Sequence, residues 1–142
     1  MSRKKLVGTW KLISWKIKST DAVIYPFGKD AIGYIMYNED GYMSTAVMTA
    51  DRTQFTSSDI LGGNQEEKAV ATDTHISYCG TYEVRKNKVI HHVKVSSFPN
   101  WTGVDQQRTF ELKGNRLLLS APRLLNEDEQ QTVLFVWERV RE

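Results

Sequence analysis

The segment Gly8-Thr9-Trp10-Lys11-Leu12-Ile13-Ser14-Trp15-Lys16-Ile17-Lys18 decides the architecture when it is read with Trp137-Glu138-Arg139, near the other end of the chain. From Leu6 to Lys18 apolar and polar residues alternate, and a period of two is the mark of a strand. Trp10, Leu12 and Ser14 then share one face, and Ile13, Trp15 and Ile17 share the other. If the first and last strands are neighbours, Arg139 can lie over the ring of Trp10 in a cation–π contact and seal one end.

Outward from that pair, the same alternation recurs between turn residues. Ala31–Tyr37 and Tyr42–Thr49 flank Asn38-Glu39-Asp40-Gly41, and an Asp-Gly ending is a strong hairpin signal. Ser77–Val84 and Lys88–Ser96 flank Arg85-Lys86-Asn87, while Asp105–Leu112 and Asn115–Ser120 flank Lys113-Gly114. Gln131–Arg139 is the last strand, which makes eight. One stretch, Asp59–Thr74, breaks the period. Gln65–Ala71 are good helix formers, with Asn64 placed as an N-cap and acidic residues in the first turn. The reading is an all-β fold with a short helix inserted between the third and fourth strands. Gly62-Gly63 lacks the Lys-Ser/Thr of a phosphate loop. Eight hairpin-linked strands must hide two edges, and closure into an antiparallel up-and-down barrel removes both while leaving room for one small ligand. A two-sheet sandwich, with a filled interior, is the competing architecture.

Composition bounds the function. A chain of 142 residues is one domain's worth, 1–142, and buries about two-thirds of its surface. Nineteen basic residues against seventeen acidic ones are scattered, so nothing marks a nucleic-acid partner. Apolar runs are too short to span a membrane. The amino terminus lacks the apolar core of a signal peptide, and Cys79 is the one cysteine. Both features fit a cytoplasmic location. Fifteen aromatic rings, 11% of the chain, need places to pack. An outward Trp15 and Ile17 would leave a face to be covered, by the helix or by a second copy in a homodimer.

The ensemble of Leu6-Val7-Gly8-Thr9-Trp10-Lys11-Leu12, Pro26-Phe27-Gly28, Gly33-Tyr34-Ile35-Met36-Tyr37, Asp40-Gly41-Tyr42-Met43-Ser44, Tyr78-Cys79-Gly80-Thr81-Tyr82, His91-His92-Val93, Phe98-Pro99-Asn100-Trp101-Thr102-Gly103, Gln107-Arg108 and Trp137-Glu138-Arg139 resembles the bacterial and fungal lipocalin-like domain family. The resemblance runs in order over nearly the whole chain. It implies a calycin-type barrel. It does not imply a ligand, because the fold hosts carriers, isomerases and cyclases alike.

Alternation also assigns an interior. Phe110 and Leu112 place Gln106 and Arg108 inward, and Val93 and Val95 place His91 inward and His92 outward. Tyr78, Tyr82 and Val84 share a face across Gly80, and Tyr42, Ser44, Ala46 and Met48 share another. Trp101 falls in a loop near one mouth. The candidate ligand-binding residues are therefore Arg108, Tyr42, Ser44, Tyr78, Tyr82, His91, Trp101 and Gln106. An inward guanidinium must be satisfied by tyrosine hydroxyls, backbone and water, or it anchors a carboxylate or enolate oxygen of a ligand. If the protein is an enzyme, His91 as base with Tyr78 or Tyr82 as acid would suit proton transfer. His91 and His92 face opposite ways, so metal spacing is absent, and no cofactor motif occurs. The expectation is a binder of a small, largely apolar or aromatic molecule with a polar or acidic end. The alternative is a cofactor-independent isomerase or cyclase in the same cavity, and a solid barrel that works through its surface is the third reading.

Overall fold

The strand β1 (Gly8–Lys18) pairs on one edge with β3 (Ile32–Tyr37) and on the other with β9 (Gln130–Arg139), so the sheet closes on itself. Between them run β4 (Tyr42–Met48), β5 (His75–Arg85), β6 (Lys88–Ser96), β7 (Asp105–Lys113) and β8 (Arg116–Leu124), each antiparallel to the next. A two-residue strand, β2 (Val23–Ile24), lies on β1 at Ile17 and Lys18. This computed structural model describes residues 2–124 and 130–141. The result is the closed eight-stranded barrel expected from the alternation, with α2 (Gln65–Asp73) inserted between β4 and β5. Three of the links are the hairpins read from the sequence. Asn64 caps α2 by accepting from the Glu67 N–H while the Glu67 carboxylate accepts from the Asn64 N–H, a reciprocal capping box. At the other end, Arg52 donates to the Ala71 carbonyl and to the Thr74 hydroxyl, so Arg52 serves the helix end.

One end of the barrel is sealed. The Arg139 guanidinium carbon sits 4.1 Å from the centroid of the Trp10 ring. Its Nη1 donates to the Val7 carbonyl at 2.9 Å and its Nη2 donates to the Lys5 carbonyl. The Trp10 indole N–H donates to the Leu6 carbonyl at 2.9 Å, and Trp10 and Leu6 are fully buried. Lys5 and Leu6 belong to α1 (Ser2–Leu6) and Val7 follows it, so the strand read from Leu6 begins at Gly8. Ser2–Leu6 is too short for a helical period to show. Arg3 covers the Tyr82 ring and donates to the Glu39 carbonyl, tying this turn to the β3–β4 hairpin. Gly8 must be glycine on two counts: its φ is +134°, and a β-carbon would lie 2.7 Å from Arg139 Nη1.

Three side assignments are corrected. β1 carries a bulge between Leu12 and Ser14, with Ile13 the extra residue against β9. The bulge changes the face that points inward, so Trp10 and Leu12 are buried in the lower half and Trp15 and Ile17 turn into the barrel in the upper half. Trp15 and Ile17 therefore offer no outer face, and the hint of a homodimer drawn from them lapses. On β4 the inward set is Met43, Thr45 and Val47, while Tyr42 and Ser44 lie on the outside, Tyr42 with 56% of its surface exposed. Both faces of β4 are apolar enough that alternation alone cannot choose. The third correction is Val95, which is exposed because β5 and β6 slip register between Cys79 and Gly80. At that slip the chains touch: a β-carbon on Gly80 would fall 1.9 Å from the His92 carbonyl oxygen.

Two stability outcomes follow from these contacts. Arg139→Met keeps the stem and loses the charge, the two carbonyl contacts and the cation–π contact, and should cost about 2 to 4 kcal/mol in urea unfolding. A loss under about 0.5 kcal/mol would show that the seal is decorative. Gly80→Ala cannot be absorbed by side-chain rotation, because the obstacle is backbone, and should lower stability by about 3 kcal/mol or prevent folding. A wild-type melting temperature in that variant would disprove the close approach.

Candidate functional site

The open half of the barrel holds a cavity of about 490 Å³ counted out to its mouth. That figure takes in open solvent at the mouth. The space open to the centre of a water molecule is about 60 Å³, so the cavity is narrow. Its walls differ. On the β1/β9 side, Trp15, Phe135 and Trp137 form a run of near-parallel rings, with centroids 5.1 Å and 5.8 Å apart and planes inclined by 12° and 6°. The bulge at Ile13 is what admits Trp15 to this run. Phe135 is inward by the same parity as Trp137, a signal present in the sequence. In a closed ring of eight strands, β9 and β1 stand opposite β5 and β6. The wall facing the rings is thus Tyr78 and His91, with Trp101 edge-on to Tyr78 at 5.9 Å. Ile35, Val47, Ile76 and Leu119 fill the remaining sides.

Trp101 reaches the cavity from a short 3-10 turn, Pro99–Trp101, after β6, and Phe98 packs edge-on against it at 5.2 Å. Phe27 meets Trp15 edge-on at 4.9 Å on the other side. These loop rings form the rim, where the sequence placed Trp101.

The polar groups sit to one side. His91 is 1% exposed. Its Nε2 lies 2.6 Å from the Tyr37 hydroxyl and its Nδ1 lies 2.7 Å from the Tyr78 hydroxyl. Burial, with the nearby Arg108 and His92 charges added, pulls its pKa down from 6.5 to about 3, so the imidazole is neutral. Burial pushes the Tyr78 phenol up to about 12 against the opposing pull of Arg108, and pushes the Tyr37 phenol well above its ordinary range. Arg108 lines the cavity. It donates to the Gln106 side-chain oxygen at 3.1 Å and to the Gln107 carbonyl at 3.1 Å. Among the described residues no carboxylate lies within salt-bridge distance of it. Of the internal partners expected for Arg108, a backbone carbonyl is present, whereas the tyrosine hydroxyls go elsewhere: Tyr37 and Tyr78 to His91, and Tyr82 to Asn38.

Of the residues singled out beforehand, Arg108, Tyr78, His91 and Trp101 meet at this cavity, and Gln106 stands behind Arg108 and orients it. Tyr82 is buried but lies toward the sealed end, where its hydroxyl donates to the Asn38 carbonyl at 2.7 Å. Tyr42 and Ser44 are on the outer surface. Tyr37 escaped the sequence reading because Ile32–Tyr37 is apolar on both faces. The structure puts Tyr37 at 1% exposure beside His91 and leaves Tyr34 and Met36 outside. His92 points outward to Glu83 and Asp105, at 2.9 Å and 2.7 Å. No helix among the described residues is long and apolar enough to cross a membrane.

Comparison with known proteins agrees with this geometry. The family described as "Lipocalin-like domain" matches residues 7–140. A 4'-hydroxy-3'-methoxypropiophenone carrier protein of Aspergillus oryzae is 34% identical over 108 residues, which covers 69% of this chain and 96% of that protein. No solved structure gives a significant match. By the extent of the family match and by its closed barrel, the chain belongs to the lipocalin-like domain family.

Proposed function

We propose that this protein is a carrier that binds a small, flat, largely apolar molecule in the barrel, with Arg108 holding its polar or acidic end. The observation that carries this reading is a guanidinium set in the wall of an apolar, ring-lined cavity with no carboxylate beside it. A cation so placed is poorly compensated by the protein and well matched to an acceptor oxygen on a ligand. The mutually stacked rings of Trp15, Phe135 and Trp137 supply a rigid apolar wall against which a small molecule packs. The fungal relative is named for carrying an aryl ketone, a molecule of that shape with oxygens at its ends. The lone thiol, Cys79, supports a cytoplasmic setting.

Isomerase or cyclase chemistry is the less favoured use of the same cavity. His91 was the candidate base, with Tyr78 or Tyr82 as acid. Both ring nitrogens of His91 are engaged by tyrosines, and a pKa near 3 makes it a weak base at neutral pH. Tyr82 is occupied at the sealed end.

The neutral state of His91 has a measurable consequence. The unfolded imidazole takes a proton near 6.5 and the folded one only near 3. Between those values the unfolded state holds more protons, so this contribution to stability is complete above the unfolded value and is lost as pH falls, by about 1.4 kcal/mol per unit at most. Denaturation of wild type and His91→Gln at pH 7 and pH 5 should show the larger loss in wild type. Equal losses would assign the acid sensitivity to other groups.

The binding function is tested with 4'-hydroxy-3'-methoxypropiophenone and the matching aryl carboxylic acid, followed by tryptophan fluorescence, since Trp15, Trp101 and Trp137 line the cavity. Saturable quenching is expected, and Arg108→Leu should weaken the acid by about tenfold or more. Unchanged affinity in Arg108→Leu would remove Arg108 from the site.

A further inference from the structure

The Tyr37–His91–Tyr78 chain can be settled by counting protons. Both phenols stay protonated and the imidazole carries one N–H, so three protons serve two hydrogen bonds. One tyrosine donates to the ring and the other accepts from it. The accepting tyrosine keeps its own O–H proton and needs another acceptor for it.

The two hydroxyls are not equivalent in this respect. Tyr37 is 1% exposed, is absent from the cavity wall, and has no hydrogen-bond partner other than His91 among the described residues. If Tyr37 accepted from Nε2–H, its own proton would be a buried donor with nothing to receive it, at a cost of about 1 to 3 kcal/mol. Tyr78 stands on the cavity wall, where a ligand atom can meet it. The arrangement that seals no free proton in the core has Tyr37 donating to Nε2, Nδ1–H donating to Tyr78, and the Tyr78 proton left for the cavity that Tyr78 lines.

We propose that Tyr37 fixes His91 as its Nδ1–H tautomer, and that Tyr78 thereby becomes an obligate hydrogen-bond donor to an acceptor oxygen, a carbonyl or a carboxylate, of the carried molecule. Tyr37 is then a positioning residue that never touches the ligand. The rest of the wall agrees with this polarity. Arg108 is a donor, and no Asp, Glu, Asn or Gln lines the cavity among the described residues. Thr45, a further polar lining residue, spends its proton on the Tyr34 carbonyl, so the donors on the polar side are Arg108 and Tyr78, which favour acceptor oxygens there. The ligand half of this inference rests on the carrier reading, whereas the tautomer half does not.

Two measurements separate them. In protein labelled with 15N histidine, the ring shifts and long-range couplings of His91 report which nitrogen is protonated without any ligand. Protonated Nδ1 with bare Nε2 is expected, and the reverse overturns the assignment. For the ligand half, propiophenone and propylbenzene form a pair that differs at the carbonyl. Tyr78→Phe should weaken propiophenone by about tenfold and leave propylbenzene unchanged. Equal weakening of both would make Tyr78 a shaping residue and refute the donor role. If wild type binds neither, the carrier reading fails together with the ligand half, and the tautomer still stands or falls by the spectrum.

Discussion

Closure of the sheet between β1 and β9 is the constraint on which the rest depends. An open sheet of eight strands would expose two edges and have no interior. Here the two terminal strands meet, and Arg139 fastens them: it lies on the Trp10 ring from one strand and bonds the carbonyls of Val7 and Lys5 that precede that strand. The same side chain therefore closes the ring of strands and plugs its end. Gly8 is required by its φ of +134°, and the absence of a β-carbon there leaves the guanidinium its place.

With one end sealed, the other half is free to be hollow. The fold divides its aromatic residues accordingly. Trp10, Tyr37 and Tyr82 pack toward the seal, while Trp15, Phe135, Trp137 and Trp101 surround the space. The polar groups stand at the boundary between the two regions. His91 is buried as deeply as the apolar core, yet it is fully hydrogen-bonded, which is how a polar ring survives there. Among the described residues Arg108 is satisfied only by its own strand neighbours, and that difference marks it as the group with capacity to spare.

Much of this was legible. Turn chemistry announced the hairpins, the Asn64–Glu67 spacing announced the capped helix, and the pairing of Gly8-Thr9-Trp10 with Arg139 announced the closure. The inward placement of Arg108, His91 and Tyr78 followed from the apolar residues that share their faces, Phe110 and Leu112, Val93, and Tyr82 and Val84, set against polar or small neighbours of opposite parity such as Gln107, Lys94 and Cys79. Parity failed where it carried no contrast. Tyr42, Ala46 and Met48 are as apolar as Met43 and Val47, and Tyr34 and Met36 as apolar as Ile35 and Tyr37, so hydrophobicity could not tell inside from outside. It also failed at Ile13 and at Gly80, where a bulge changes the count of residues without changing their character. Bulges arise from tertiary pairing, and the strand's own sequence does not encode them clearly.

The bulge at Ile13 makes β1 two strands in one. Below it, the inward positions are those that the seal requires; above it, the opposite set faces in. One strand thus serves two unrelated selection pressures without conflict, because a substitution at Trp15 or Ile17 changes the mouth and leaves the parity of Trp10 and Leu12 untouched. The lining of the cavity is in this sense modular. A barrel built this way can be retuned toward a new cargo by exchanging residues above the bulge, while the part that makes it a barrel is inherited unchanged.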